Sequence, residues 1–96
     1  MLFVITALDK HDSLALRLSV REAHLAYARE TGRMKLGGPL LDEVGDMAGS
    51  LMIVEAPDRA TVEAWHAGDP YAQAGLFASS EIRPWKPTFN PSGATF

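Results

Sequence analysis

His24 and Asp69 are the two side chains of this sequence best suited to moving a proton near neutral pH. His24 lies in Ser19-Val20-Arg21-Glu22-Ala23-His24, and a helical spacing of about 100° per residue puts Val20, His24, Tyr27, Ala28 and Thr31 on one side. Glu22 and Arg29 fall opposite, so the imidazole points at the core, where a polar ring needs a partner. Backbone groups could supply one; the best side-chain candidate is Asp69, in the turn Gly68-Asp69-Pro70-Tyr71. An imidazole held by a carboxylate has a defined tautomer and a free nitrogen for general-base work. Asp followed by Pro is also a plain helix start, with the carboxylate as N-cap and Pro at the first helical position. Both roles fit if one carboxylate oxygen caps the N–H of Tyr71 or Ala72 and the other meets His24.

Four more residues are expected to bind substrate. Arg21, on the flank of the same helix, could hold an anionic group, with a salt bridge as its ordinary use. Gly38 and Pro39, in Gly37-Gly38-Pro39, read either as a strand bulge or as a pocket wall where missing side chains leave room for a ligand. Tyr71 reads as a packing residue whose hydroxyl could reach the pocket. Asp9, His11 and Asp12 share one polar turn but lack the regular His spacing of a zinc motif, and the glycines lack the pattern of a phosphate loop. No metal and no cofactor are expected.

These residues need elements to hold them. Met1 to Leu8 is rich in β-branched and aromatic residues and reads as a strand ending at the polar turn Asp9-Lys10-His11-Asp12. Ser19-Val20-Arg21-Glu22 has the pattern of a capping box, predicting a helix that opens at Ser19 and closes at Gly32. Residues 13–18 fit either a separate helical turn or an irregular lead-in. Met34 to Leu41 predicts a strand broken or bulged at its glycines, Asp42 to Gly49 a turn, and Ser50 to Ala56 a third strand. Asp58 is the expected N-cap of a second helix with Val62 and Trp65 buried, ending near Gly68. A short helix over Pro70 to Phe77 follows, then a strand over Glu81 to Lys86 whose Pro84 points to a sheet edge.

The order β-α-β-β-α-β predicts an α+β, ferredoxin-like fold: a four-stranded antiparallel sheet with helices on one face. The first and third strands are apolar on both sides, so the open face needs a second layer. At 96 residues the simplest source is another copy of the chain, giving a homodimer with sheets packed face to face, or a higher homo-oligomer. A net charge of −3 with nine scattered Lys and Arg residues offers no stripe for phosphates, so nucleic acid is not an expected partner. The sequence has no cysteine, and its longest apolar run is under half the roughly 20 residues of a membrane span. A cytoplasmic protein without membrane contact is expected.

Met1-Leu2-Phe3-Val4-Ile5, Leu18 to Ala26, Gly38-Pro39, Gly49-Ser50, Asp69-Pro70-Tyr71 with Ala74-Gly75, and Ile82 to Lys86 follow one another as in the YCII-related (YciI-like) family, which this sequence resembles over residues 1–89. The resemblance implies a fold in the dimeric α+β barrel group, a domain over 1–89 with residues 90–96 as a tail, and a site pairing His24 with Asp69. It also implies acid–base chemistry on small aromatic or enol-like molecules, including halide elimination from hydroxylated rings. The sequence departs from the family in a shorter His24 to Gly38 segment, a trimmed loop before Gly49 and the added Asn90 to Phe96. The leading expectation is an enzyme of the elimination or isomerisation class in which His24 relays a proton and Asp69 orients it. A noncatalytic small-molecule-binding dimer and a cofactorless oxygenase are the alternatives.

Overall fold

Along the first strand Phe3, Ile5 and Ala7 are buried while Leu2, Val4 and Thr6 are only partly covered, the two-residue alternation of a sheet with one covered face. The computed structural model describes residues 1–96 as β1 (Leu2–Asp9), α1 (Leu14–Thr31), β2 (Met34–Leu41), β3 (Met47–Glu55), α2 (Arg59–Gly68), α3 (Pro70–Gln73) and β4 (Phe77–Trp85). The strands form one sheet in the order β2-β3-β1-β4, with every neighbouring pair antiparallel. This is the expected ferredoxin-like fold. No helix is long and apolar enough to cross a membrane.

The covered face carries the core. Phe3, Ile5, Met52, Val54 and Ala56 pack with Val62 and Trp65 of α2; each such aliphatic or aromatic side chain contributes about 1.5–3 kcal/mol on burial. The helices are tied by polar bonds as well. Tyr27 donates its hydroxyl to the Trp65 carbonyl at 2.7 Å, and the Trp65 indole donates to Thr31 Oγ1 at 2.9 Å. On the other face Val4 pairs with Ile53 and Thr6 with Leu51, flanked by Leu36 beside Ile53. Leu36 is 56% and Leu51 37% exposed.

Several expectations are corrected. The first helix begins at Leu14, after Ser13, and Ser19 lies inside it, its hydroxyl donating to the Leu16 carbonyl at 2.7 Å. Residues 14–18 are helical because Arg17 is anchored by Asp9 and Ser50. The other end behaves as read: Gly32 is left-handed at φ 66 and its N–H donates to the Ala28 carbonyl.

β2 runs unbroken through Gly37-Gly38-Pro39, and its register shifts fall outside them, between Met34 and Leu36 and between Leu40 and Leu41. It is an edge strand, so Pro39 can lack an N–H without breaking a central ladder. β3 starts at Met47 rather than Ser50. Gly49 permits this, since a Cβ there would sit 2.5 Å from the Ala7 carbonyl oxygen. α3 stops at Gln73, and a turn through Gly75 at φ 73 lets β4 begin at Phe77 and end at Trp85. The expected features of α2 stand: Asp58 caps it by accepting from the Thr61 N–H at 2.8 Å, and Val62 and Trp65 are buried.

Candidate active site

Arg17, Arg21, His24 and Ala28 fall on one inward stripe of α1, of which Arg17, His24 and Ala28 are buried. α3 starts directly across from that stripe, because Asp69 both ends α2 and caps α3. The two meet in a hydrogen bond of 2.8 Å between His24 Nδ1 and Asp69 Oδ1. The His24 side chain is 8% and that of Asp69 0% exposed.

The same oxygen, Asp69 Oδ1, also accepts the Tyr71 N–H at 3.0 Å, while Oδ2 is buried without a partner. The expected division of labour between the two oxygens is therefore corrected. The cap geometry of Asp69, at φ −61 and ψ 130, presents one oxygen to both donors. A carboxylate only accepts, so the proton in the His24 contact sits on Nδ1, and whenever the ring is neutral Nε2 is the nitrogen with the lone pair. Nε2 has no hydrogen-bond partner within the chain.

Tyr71 stacks on the imidazole, with ring centroids 4.1 Å apart and planes 16° from parallel. Burial is the main cause that pushes its phenol above the ordinary tyrosine value, with Arg17 and Arg21 pulling the other way. Tyr71 is thus protonated at neutral pH. Arg17 reaches the ring too, its guanidinium carbon 4.7 Å from the centroid.

His24 opens onto a cavity of about 150 Å³ between α1, β2, β3 and α3, lined also by Arg17, Arg21, Gly38, Pro39, Ser50 and Tyr71 among others. An engineered apolar cavity of about 150 Å³ takes up benzene, so the space suits one six-membered ring. All four expected substrate-binding residues line it, and Asp69 stands behind His24. Gly37-Gly38-Pro39 is a wall rather than a bulge. Arg21 has no ion pair within the chain, leaving a positive charge at the cavity and favouring an anionic ligand.

Sequence reasoning missed Arg17, Asp9 and Ser50. Arg17 Nη1 lies 3.0 Å from each carboxylate oxygen of Asp9, and Nη2 donates to Ser50 Oγ at 2.7 Å. Extending the helix back to Ser13 puts Arg17 on the His24 stripe, which is the one sequence signal that could have found it. The other histidines lie elsewhere. His11 is exposed beside Asp12, and His66 meets Ser80 at 2.8 Å, with burial pushing its imidazole below the ordinary value.

The YCII-related domain matches residues 1–86 of this chain. Protein YciI of Escherichia coli O6:H1 is 39% identical over 98 aligned positions, covering 93% of this chain and 100% of that protein. The 5-chloro-2-hydroxyhydroquinone dehydrochlorinase of Burkholderia phenoliruptrix AC1100, solved in complex with 2,5-dihydroxybenzoquinone, superposes with a TM-score of 0.84 at 37% identity, over 90% of this chain and 94% of that one. An antibiotic biosynthesis monooxygenase superposes with a TM-score of 0.56 at 18% identity, over 91% of this chain and 100% of that one. At that identity the likeness is one of fold.

Proposed function

Because this chain belongs to the YCII-related family, we propose that it is a small acid–base enzyme acting on a hydroxylated aromatic or enolisable ring, with His24 as base and Asp69 holding the imidazole. The observation that carries this is the buried 2.8 Å bond from His24 Nδ1 to Asp69 Oδ1, which leaves Nε2 without a partner in a residue that lines a cavity of about 150 Å³. The solved relative's dehydrochlorinase activity suggests the reaction. His24 Nε2 takes the proton of a ring hydroxyl on a chlorinated hydroxyhydroquinone. The electron density left in the ring allows protonation at the chlorine-bearing carbon, for which the imidazolium is at hand. Loss of chloride, as His24, neutral again after giving up its proton, takes the proton of a second ring hydroxyl, then leaves a neutral hydroxylated quinone. Overall one HCl leaves, and no oxidant or redox cofactor is required.

The test is chloride release from 5-chloro-2-hydroxyhydroquinone, followed with an ion-selective electrode and by quinone absorbance. Release that depends on the protein is expected. Tight binding of 2,5-dihydroxybenzoquinone with no chloride release and no proton exchange on any hydroxylated ring would instead make the chain a noncatalytic binder.

The assembly proposed with it is a homodimer, sheet face against sheet face. Leu36 and Leu51, with the partly covered Val4, present apolar surface around the buried Ile53 on the side of the sheet that no helix covers, and such a surface is normally covered by a partner. Sedimentation velocity is expected to give a dimer for the native chain and a monomer for Leu51→Glu. A native monomer at micromolar concentration would refute the assembly.

A further inference from the structure

We propose that Ser50 is a second catalytic residue, donating a hydrogen bond to the substrate oxygen on which negative charge develops, and that Arg17 is the positioning residue that makes it a donor. The proposal rests on the reading of His24 as base and adds the acidic partner that such a base requires.

Ser50 is 2% exposed, on the helix-covered side of β3 in register with Ala7 and Pro39. A hydroxyl has one proton to give and two lone pairs. One lone pair is taken by Arg17 Nη2 at 2.7 Å, and the hydroxyl proton has no acceptor within the chain. Arg17 itself cannot swing away: Asp9 holds Nη1 through both carboxylate oxygens, and the guanidinium lies over Tyr71. A serine oxygen bonded by a fixed cation carries a more acidic proton, since successive hydrogen bonds polarise one another at low dielectric. Ser50 and His24 line the same cavity, so one ring can meet both.

The step balances without further reagents. His24 Nε2 removes a proton from one ring hydroxyl, and the negative charge left behind is shared between that oxygen and the ring carbons ortho and para to it. Ser50 donates a hydrogen bond to that oxygen and keeps its own proton. The preferred substrate therefore carries an acidic ring hydroxyl whose oxygen Ser50 can reach while His24 takes its proton.

The experiment measures kcat and KM for chloride release from 5-chloro-2-hydroxyhydroquinone with the full chain, alongside circular dichroism for folding. Removing one donor of this kind typically lowers kcat about 100- to 1,000-fold, and that is expected of Ser50→Ala, with KM changed less than kcat. Ser50→Thr, which restores the hydroxyl, is expected to recover most of the rate. If Ser50→Ala does not fold, Ser50→Cys keeps the size but offers a weak donor, and the same loss is expected. Arg17→Lys is expected to lower kcat in the native background and add little on top of Ser50→Ala, a non-additivity that a purely structural arginine would not show.

A folded Ser50→Ala or Ser50→Cys that keeps the native kcat overturns the proposal. Should the native chain turn over nothing, the base assignment has failed separately. Ser50 is then judged by optical titration with 2,5-dihydroxybenzoquinone: weaker binding by Ser50→Ala supports the donor, and unchanged binding overturns it.

Discussion

His24→Ala is expected to lower turnover about 100- to 10,000-fold, the contribution of a positioned general base, and Asp69→Asn to lower it nearly as far for a different reason. In many histidine–carboxylate pairs the asparagine variant fails by forcing the wrong imidazole tautomer. Here Asp69 Oδ1 accepts from both the Tyr71 N–H and His24 Nδ1. An asparagine whose carbonyl oxygen takes that place keeps both bonds and the tautomer, and its amide nitrogen falls where Oδ2 has no partner. What disappears is the negative charge that stabilises the imidazolium. A unit charge at about 4 Å is worth about 4 kcal/mol at an effective dielectric of 20, or roughly 1,000-fold in rate. Steady-state kinetics check both variants, and native kcat in the two of them would remove the pair from the chemistry. NMR of the imidazole nitrogens in Asp69→Asn is expected to show the native tautomer.

The second large effect is on stability. Arg17→Ala is expected to cost about 3–5 kcal/mol, the usual consequence of leaving a buried charge without its partner. The side chains of Arg17 and Asp9 are each 4% exposed, so neither can turn to water when the other is removed. Replacing Asp9 and Arg17 together by apolar residues of similar volume is expected to recover much of the loss, because no orphaned charge remains. Urea denaturation of the two single variants and the double variant measures this. A cost below about 1 kcal/mol for Arg17→Ala would mean that the pair is as weak as a surface one.

The pairing of His24 with Asp69 was legible because each residue carries a local reason to be where it is. The helical stripe through His24 and Ala28 turns the imidazole inward, and the Asp-Pro step fixes the start of α3. The fold was legible for the same kind of reason, in the double-sided apolar character of β1 and β3 and in the cap at Asp58.

The start of α1 was not, because Ser19 and Glu22 have the spacing of a capping box, while the decision is made by long-range contacts. Asp9 and Ser50 draw Arg17 into the core and with it the first turn of the helix. Ser50 lies far along the chain from Arg17, and an apolar strand containing one serine gives no local sign that the hydroxyl faces a cavity. The split at Asp69 escaped for a finer reason: which oxygen meets the histidine depends on backbone torsions at the cap.

In β3, Ser50 and Met52 face the cavity while Leu51 and Ile53 face away from the helices. Since the side-chain period of a strand is two, a slip of one residue would turn every side chain to the opposite face. Leu51 would fill the cavity and Ser50 would leave it, exchanging the helix-covered face of the strand for the open one in a single move. Evolution can therefore lengthen or shorten the turn through Asp42 to Asp46, whose residues are exposed, without touching the site. One inserted residue between Gly49 and Val54 would instead turn the rest of the strand over and disturb both faces at once.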